Sequence, residues 1–282
     1  MGERRSDWRA LLDELGVRPS RSKGQNFLHD PAIVRRIAEA SEIAPGELVL
    51  EIGPGLGVLT RELAARAGRV IAVELDRRLA GHLAGAGIAG VDVVEADILA
   101  TAVAVLTGGQ RYVVVANLPY NIAAAVIEHL LSSPARPQRL LVMVQREVAE
   151  RIVARPPKMS ILAVAVQFYG RPRVVLRVGP GAFIPAPKVE SAVLRIDVAP
   201  EPPLPERAQA GFFRLVRAGF GQRRKQLANA LAAGLRQPKA TVEAALHEAG
   251  IAPERRAETL TVDDWLRLYR ASRPLLDNEA GG

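Results

Sequence analysis

The sequence predicts an α/β fold: a mostly parallel sheet with helices on both faces, then a small all-helical domain. Three observations predict it. Short apolar runs alternate with amphipathic stretches from residue 31 to about residue 170, a proline-rich segment interrupts the chain at Pro200–Pro205, and only helical patterns follow it. Strand–helix alternation builds parallel sheets covered on both sides, and Pro200-Glu-Pro-Pro-Leu-Pro205 reads as a linker. The expected domains are residues 1–199 and 206–282.

The elements follow in order. Trp8, Leu11, Leu12 and Leu15 share one face of a helix over 7–16, and a basic, Ser/Gly-rich loop runs from Arg18 to Gly24. Asp30 suits an N-cap and Pro31 a first helical position. Leu48–Ile52 is a strand entering a glycine-rich turn, with a helix to about Ala67. Strands over 69–74, 91–95, 112–116 and 140–145 alternate with helices over 77–86 and 122–131. Residues 146–154 and 160–169 read as helix. Strands over 173–178 and 191–198, joined by a Pro-rich loop, are expected to pair antiparallel. Helices are expected over 206–219, 223–235, 240–249 and 261–271, with Thr241 and Thr261 near two of their starts.

Composition narrows the function. The chain has 282 residues, no cysteine and four scattered histidines. Disulfides and thiolate metal sites are excluded, and no metal site is expected. The first residues have no apolar signal region, and the longest apolar runs, Leu140–Val144 and Ile161–Phe168, are too short for a bilayer. A soluble, cytoplasmic monomer is expected. Formal charge is +8, distributed as +1 over residues 1–30, −3 over 31–133, +7 over 134–200 and +3 over 201–282. A basic surface facing a polyanion would have this distribution. Arginines on solvated faces would too, and charge alone leaves both open.

The first candidate site is the strand–turn–helix Glu51-Ile-Gly-Pro-Gly-Leu-Gly-Val-Leu-Thr60. Gly53, Gly55 and Gly57 permit a tight turn and close approach to a ligand. Glu74 ends the next strand, 21 residues after Gly53, where a carboxylate accepts ribose hydroxyls. The Gly-x-Gly-x-Gly spacing differs from the pyrophosphate-binding Gly-x-Gly-x-x-Gly and argues against a dinucleotide. Asp97, ending the third strand, offers an acceptor for an adenine amine; it equally suits an N-cap for a helix starting near Ile98. With Glu51, the set matches S-adenosylmethionine, whose sulfonium and ammonium suit a half of net −3.

The second candidate site is Asn117-Leu118-Pro119-Tyr120, after the fourth strand. Ligands of open parallel sheets sit beyond the carboxyl ends of strands. The Asn117 side-chain oxygen and the Leu118 carbonyl can accept both N–H bonds of an adenine amine and aim its lone pair at a methyl group. Pro119 fixes the neighbouring carbonyl, and Tyr120 offers a stacking face.

Together these motifs resemble the small-subunit ribosomal RNA adenine N6-dimethyltransferase family of the KsgA type. The similarity runs from about Arg21 to Leu266. It includes Gln25-Asn-Phe-Leu28, the glycine motif, Val73-Glu-Leu-Asp76, Asp97, Asn117-Leu-Pro-Tyr120, Phe183-Ile-Pro-Ala-Pro-Lys-Val-Glu-Ser-Ala192, Gly221-Gln-Arg-Arg-Lys225 and Arg255-Arg-Ala-Glu-Thr-Leu260. The resemblance implies a Rossmann-like, S-adenosylmethionine-dependent methyltransferase. It implies dimethylation of two adjacent adenosines near the 3′ end of 16S rRNA during ribosome biogenesis, with the small subunit or its precursor as partner. It implies that Asn26 and Leu28 close over the cofactor and that Phe183 and Tyr120 sandwich a flipped adenine. The fold context favours phosphate contact by Arg223, Arg224 and Lys225 over a merely solvated helix end. The chain departs from many members at Pro156-Pro-Lys-Met-Ser160, which alters a loop. Rival readings are a large-subunit adenine methyltransferase of the macrolide-resistance type and a non-catalytic RNA-binding assembly factor. A nicotinamide oxidoreductase is opposed by the glycine spacing.

Overall fold

The computed structural model describes residues 8–18, 25–222 and 224–277. Helix α1 (Trp8–Glu14) precedes a two-residue strand β1 (Phe27–Leu28) and helix α2 (Pro31–Ala40). Asp30 caps α2 by accepting from Ala32 N at 2.8 Å and Ile33 N at 3.2 Å. There follow β2 (Leu48–Ile52), α3 (Val58–Ala64), β3 (Arg69–Glu74), α4 (Arg77–Gly85), β4 (Val91–Glu95), α5 (Val103–Thr107), β5 (Tyr112–Asn117), α6 (Ala123–Ser132) and β6 (Arg139–Gln145). Next come α7 (Arg146–Ile152), α8 (Ile161–Tyr169), β7 (Gly170–Val178), β8 (Phe183–Ile184) and β9 (Ser191–Val198). The remainder is helical: α9 (Glu206–Phe220), α10 (Leu227–Leu235), α11 (Lys239–Glu248), α12 (Val262–Ala271) and α13 (Arg273–Asp277). The sequence reading assigns no element to α5, α13, β1 or β8.

Seven strands form one sheet in the order β4-β3-β2-β5-β6-β9-β7. From β4 to β6 every pairing is parallel, and β9 runs antiparallel to β6 with Leu141 opposite Arg195. The chain winds outward from β2 through β3 to β4, then returns to β5 on the other side of β2. That reversal opens a crevice beyond the carboxyl ends of β2 and β5, where ligands of such sheets bind. Buried Val49, Val113, Val115, Leu141 and Val193 of the sheet share one core cluster with Val34 and Ile37 of α2. A separate two-stranded sheet pairs β1 with β8, setting Phe27 opposite Ile184 and Leu28 opposite Phe183. At the sheet's other end Arg139 ties the α2–β2 loop: its guanidinium donates to Ser41 O at 2.8 Å and Glu42 O at 2.7 Å and pairs with Glu47 at 2.6 Å.

The chain divides into two units. One takes the chain up to Ala149 together with Arg171–Ala199; the other takes Glu150–Gly170 together with the chain from Pro200 onward. The expected boundary at the proline-rich linker therefore has an exception, because residues 150–170 go with the helical unit. Helix α8 explains why. It is apolar almost throughout, and Phe168 stacks on Phe212 of α9 with ring centroids 4.8 Å apart, while the Tyr169 hydroxyl donates to Gln209 Oε1 at 2.8 Å. Two helix starts also differ from expectation. Helix α10 begins at Leu227 rather than residue 223, after a turn closed by Lys225 N donating to Gln222 O. Helix α11 begins at Lys239 behind Pro238, so Thr241 lies inside it. Thr261 does cap α12, in a reciprocal pair with Asp264. Among the described residues no helix is long and apolar enough to cross a membrane.

Candidate active site

Strand β2 is buried along its whole length, so Glu51 is carried into the interior at 1% exposure. Among the described residues Glu51 Oε2 has no hydrogen-bond partner, nor has the buried Thr60 Oγ1. Burial raises the Glu51 pKa to about 8; the Thr60 hydroxyl works against that shift and the Glu74 carboxylate adds to it. Since Thr60 is not placed to satisfy Oε2, we assign the shift to burial. Glu74, at the end of β3, is also buried. Its Oε2 accepts the Gly55 N–H at 3.1 Å and its Oε1 the Asp76 N–H at 2.9 Å. Burial raises its pKa and these N–H groups oppose the rise. A carboxylate has about four lone-pair sites, so Glu74 supports the loop and retains acceptor capacity.

The glycines divide by role. Gly55 has φ +58°, and a Cβ there would come within 3.0 Å of the Phe27 ring. Gly57, the N-cap of α3 at φ +75°, would set a Cβ 2.5 Å from Leu83 Cδ1 of α4. It permits helix packing and lines neither of the site's two clefts. Asp97 is exposed and caps the short 3-10 turn Ile98–Ala100, accepting from Leu99 N at 2.9 Å through Oδ1. Asp97 thus acts as a cap through one of its two carboxylate oxygens, and it lines neither cleft.

Strand β5 delivers the second motif next to the first. Asn117 Nδ2 donates to the Asn26 carbonyl at 3.0 Å. Leu118 is buried, its N–H donating to Met143 O at 3.2 Å, and Pro119 O accepts from Ile122 N at 3.1 Å. The half-buried Tyr120 shares a 2.5 Å hydrogen bond with the buried hydroxyl of Ser191. Burial raises the Tyr120 pKa against that bond, so the phenol stays neutral. Phe183 is 2% exposed, lies opposite Leu28 in the β1–β8 pair and belongs to the apolar core cluster. It presents no open face here, and Tyr120 is the aromatic of the second motif that lines a cleft.

The two clefts share Phe27, Gly53, Gly55 and Asn117. Leu28 and Glu51 line the first; Asn26, Glu74, Leu118, Pro119 and Tyr120 line the second. Thr60 beside Glu51 and Ser191 behind Tyr120 lie within quoted motifs but receive no role from the sequence, and Leu79 in the second cleft escapes the sequence reading altogether. Each is an ordinary residue of a predicted element, and only the tertiary fold brings it to the site. The ring of Phe27 lies within a quoted motif, but its seat over Gly55 is not visible in sequence.

The site's chemistry is split. Two buried carboxylates, one with an orphaned oxygen, suit a cationic ligand with hydroxyls. This fits S-adenosylmethionine, with Gly53 and Gly55 leaving room beside it. Asn117, Leu118 and Tyr120 are uncharged and suit a neutral planar amine.

Of the basic candidates, Arg224 and Lys225 are exposed in the turn before α10, and Arg223 lies outside the described residues. The first N–H groups of α10 are already taken, Leu227 N by Arg255 O at 2.6 Å and Ala228 N by Pro253 O at 3.2 Å. In the +7 segment Arg139 and Arg195 are paired with carboxylates from outside it, Glu47 at 2.6 Å and Glu42 at 2.8 Å, so part of its excess charge is neutralised within the fold.

Comparison with known proteins gives one consistent result. A family model described as ribosomal RNA adenine dimethylase matches residues 18–273. The chain is 45% identical to a ribosomal RNA small subunit methyltransferase A of Moorella thermoacetica, over 93% of this chain and 95% of that one. It is 43% identical to the protein of the same name from Dehalococcoides mccartyi, over 92% and 90%. Among solved structures, a dimethyladenosine transferase from Plasmodium falciparum is similar at TM-score 0.76 and 25% identity, covering 88% of this chain and 98% of that one. The 23S rRNA methyltransferase ErmE is similar at TM-score 0.70 and 32% identity, covering 87% and 99%.

Proposed function

Since the chain belongs to the ribosomal RNA adenine dimethylase family, whose members are S-adenosylmethionine-dependent methyltransferases, we propose that it converts two adjacent adenosines near the 3′ end of 16S rRNA to N6,N6-dimethyladenosine. The observation that carries this reading is the junction of the two clefts at Gly53, Gly55 and Asn117: Glu51 lines one, and the other sets Glu74 in the same cleft as the neutral Leu118, Pro119 and Tyr120. When bound, S-adenosylmethionine supplies an electrophilic methyl group.

This chain's residues do the rest. Glu74 accepts the ribose hydroxyls while holding Gly55, and Glu51 faces the cationic end. Asp97 keeps Oδ2 for the cofactor's adenine amine, its Oδ1 being spent on Leu99 N. Asn26, Leu28, Gly53 and Gly55 enclose the cofactor, and Gly57 sets the helix behind the loop. At the substrate, Asn117 Oδ1 and the Leu118 carbonyl accept the N6 hydrogens, which localises the lone pair for in-line attack. Tyr120 stacks on the flipped base, Pro119 fixes the backbone between them, and Phe183 supports the pocket from the core. The nitrogen becomes cationic as the N–C bond forms and its proton is then lost to water, so no strong base is required. Arg224 and Lys225, with Arg223, contact RNA phosphates. The protein acts in the cytoplasm as a monomer on the small subunit or its precursor.

ErmE supports a second reading, a 23S substrate, but at lower identity than the relatives named for the small subunit. Labelled methyl transfer to unmodified small and large subunits, with the modified bases mapped, separates the two. Two adjacent dimethyladenosines in 16S rRNA are expected; label confined to 23S rRNA would overturn the proposal.

A further inference from the structure

An asparagine amide has one acceptor and two donors and can sit in either of two orientations. Only one serves a substrate amine, which needs acceptors. Asn117 Nδ2 lies 3.0 Å from the Asn26 carbonyl, and its Oδ1 takes no hydrogen bond from any described residue. A rotated amide would set Oδ1 against that carbonyl, two acceptors face to face. The carbonyl is itself held. Residue 27 begins the β1–β8 pair, His29 N donates to Ala182 O at 3.0 Å, and the Phe27 ring lies over Gly55 in a cluster with Leu12, Val17, Leu56 and Leu79.

We propose that the backbone carbonyl of Asn26 is a positioning group for methyl transfer: it fixes the Asn117 amide so that Oδ1 meets the adenine amine before substrate arrives. The segment 25–28 thereby does more than cover the cofactor. It sets the polarity of the substrate site through one main-chain oxygen, a role that the identity of side chain 26 does not reveal. The inference rests on the reading of Asn117 as the substrate's acceptor.

The test compares Asn117→Asp and Asn117→Ala with wild type in single-turnover methylation from pH 5.5 to 9, each rate normalised to wild type at the same pH. A neutral aspartic acid is an isostere: its O–H donates to the Asn26 carbonyl and its C=O accepts from the amine. The ionised form can only accept and faces the carbonyl with like polarity. Glu51, Glu74 and Tyr120 line the same clefts; their own titrations cancel in the normalisation, and the two carboxylates favour the neutral acid. The expected result is that Asn117→Asp approaches wild type at the acid end and falls tenfold per pH unit above its pKa, while Asn117→Ala is inactive throughout. An Asn117→Asp profile parallel to wild type, or no activity at any pH with cofactor affinity retained, overturns the positioning role. Near-normal transfer by Asn117→Ala overturns instead the reading of Asn117 on which it rests. Nitrogen-15 spectra give an independent arm. One Asn117 side-chain proton, identified by its loss in Asn117→Asp, is expected to be protected from exchange without cofactor or RNA; two freely exchanging protons also overturn the proposal.

Discussion

The cofactor side and the substrate side of the site are neighbours built by opposite means. On the first, Glu51 and Glu74 are carboxylates in the interior, both pushed towards protonation by burial. On the second, Asn117, Leu118 and Tyr120 carry no charge, and their polar atoms are aimed by hydrogen bonds to Asn26, Met143 and Ser191. The difference follows from the ligands. A cation repays a buried carboxylate, whereas a neutral amine gains from acceptors of fixed direction. One side is built for affinity, the other for geometry.

Removing Asn117 is the severest test of that division. Asn117→Ala should lower single-turnover transfer by at least about 10²–10³-fold, the scale of losing a preorganised transition-state hydrogen bond. Cofactor affinity should stay within a few-fold, and a parallel loss of affinity would erase the distinction.

The charged side should announce itself in pH. Folding lifts the Glu51 pKa from its ordinary 4.5 to about 8. Between those values the unfolded chain has released a proton that the folded chain keeps, so stability falls as pH rises through the window and is level on either side. Glu51→Gln should flatten that fall, an effect on the order of a few kcal/mol at pH 8. Urea unfolding of both proteins at pH 5 and 8 measures it, and equal slopes would mean that Glu51 is ionised in the fold.

Glu74→Ala should weaken cofactor binding by about 1.5–3 kcal/mol, the value of a hydrogen bond to a charged group, while RNA binding holds. Equal loss of both would remove Glu74 from the cofactor side. The mildest effect belongs to the helical unit. Arg224→Ala with Lys225→Ala should flatten the slope of log RNA affinity against log salt by up to about 0.9 for each phosphate no longer neutralised, with cofactor affinity unchanged. Parallel lines would make these cations a solvated turn.

Most of the first unit was legible because its strands are apolar runs bounded by glycine, proline and charge. Leu48-Val-Leu-Glu-Ile52 was legible as a strand, but the depth to which it carries Glu51 emerged only from the fold. Strands β1 and β8 are too short to show a period, and their partners lie more than a hundred residues apart in the chain. The start of α10 was hidden because Gln222–Gln226 has no helix breaker after Gly221; the N–H groups of Leu227 and Ala228 go to carbonyls of the 253–255 loop, which no local pattern shows. Asp97 was legible as an alternative that chemistry alone could not settle. Phe183 was legible as a motif member, yet its burial follows from pairing with Leu28. What sequence supplied was residue type and local period; what it withheld was which backbone atoms meet across the chain, the Asn26 carbonyl above all.

The division of the chain at Ala149, Gly170 and Ala199 also bears on synthesis. Helix α8 leaves the ribosome before the sheet is complete, and long before Phe212 of α9 exists to cover Phe168. Until β9 arrives, β6 is an open edge with unpaired backbone groups, and an apolar helix is exposed beside it in the chain. Nascent chains in that state are prone to aggregate. The chain is therefore most vulnerable while residues 170–212 are being made, and slowed elongation there should lower soluble yield more than the same delay placed earlier.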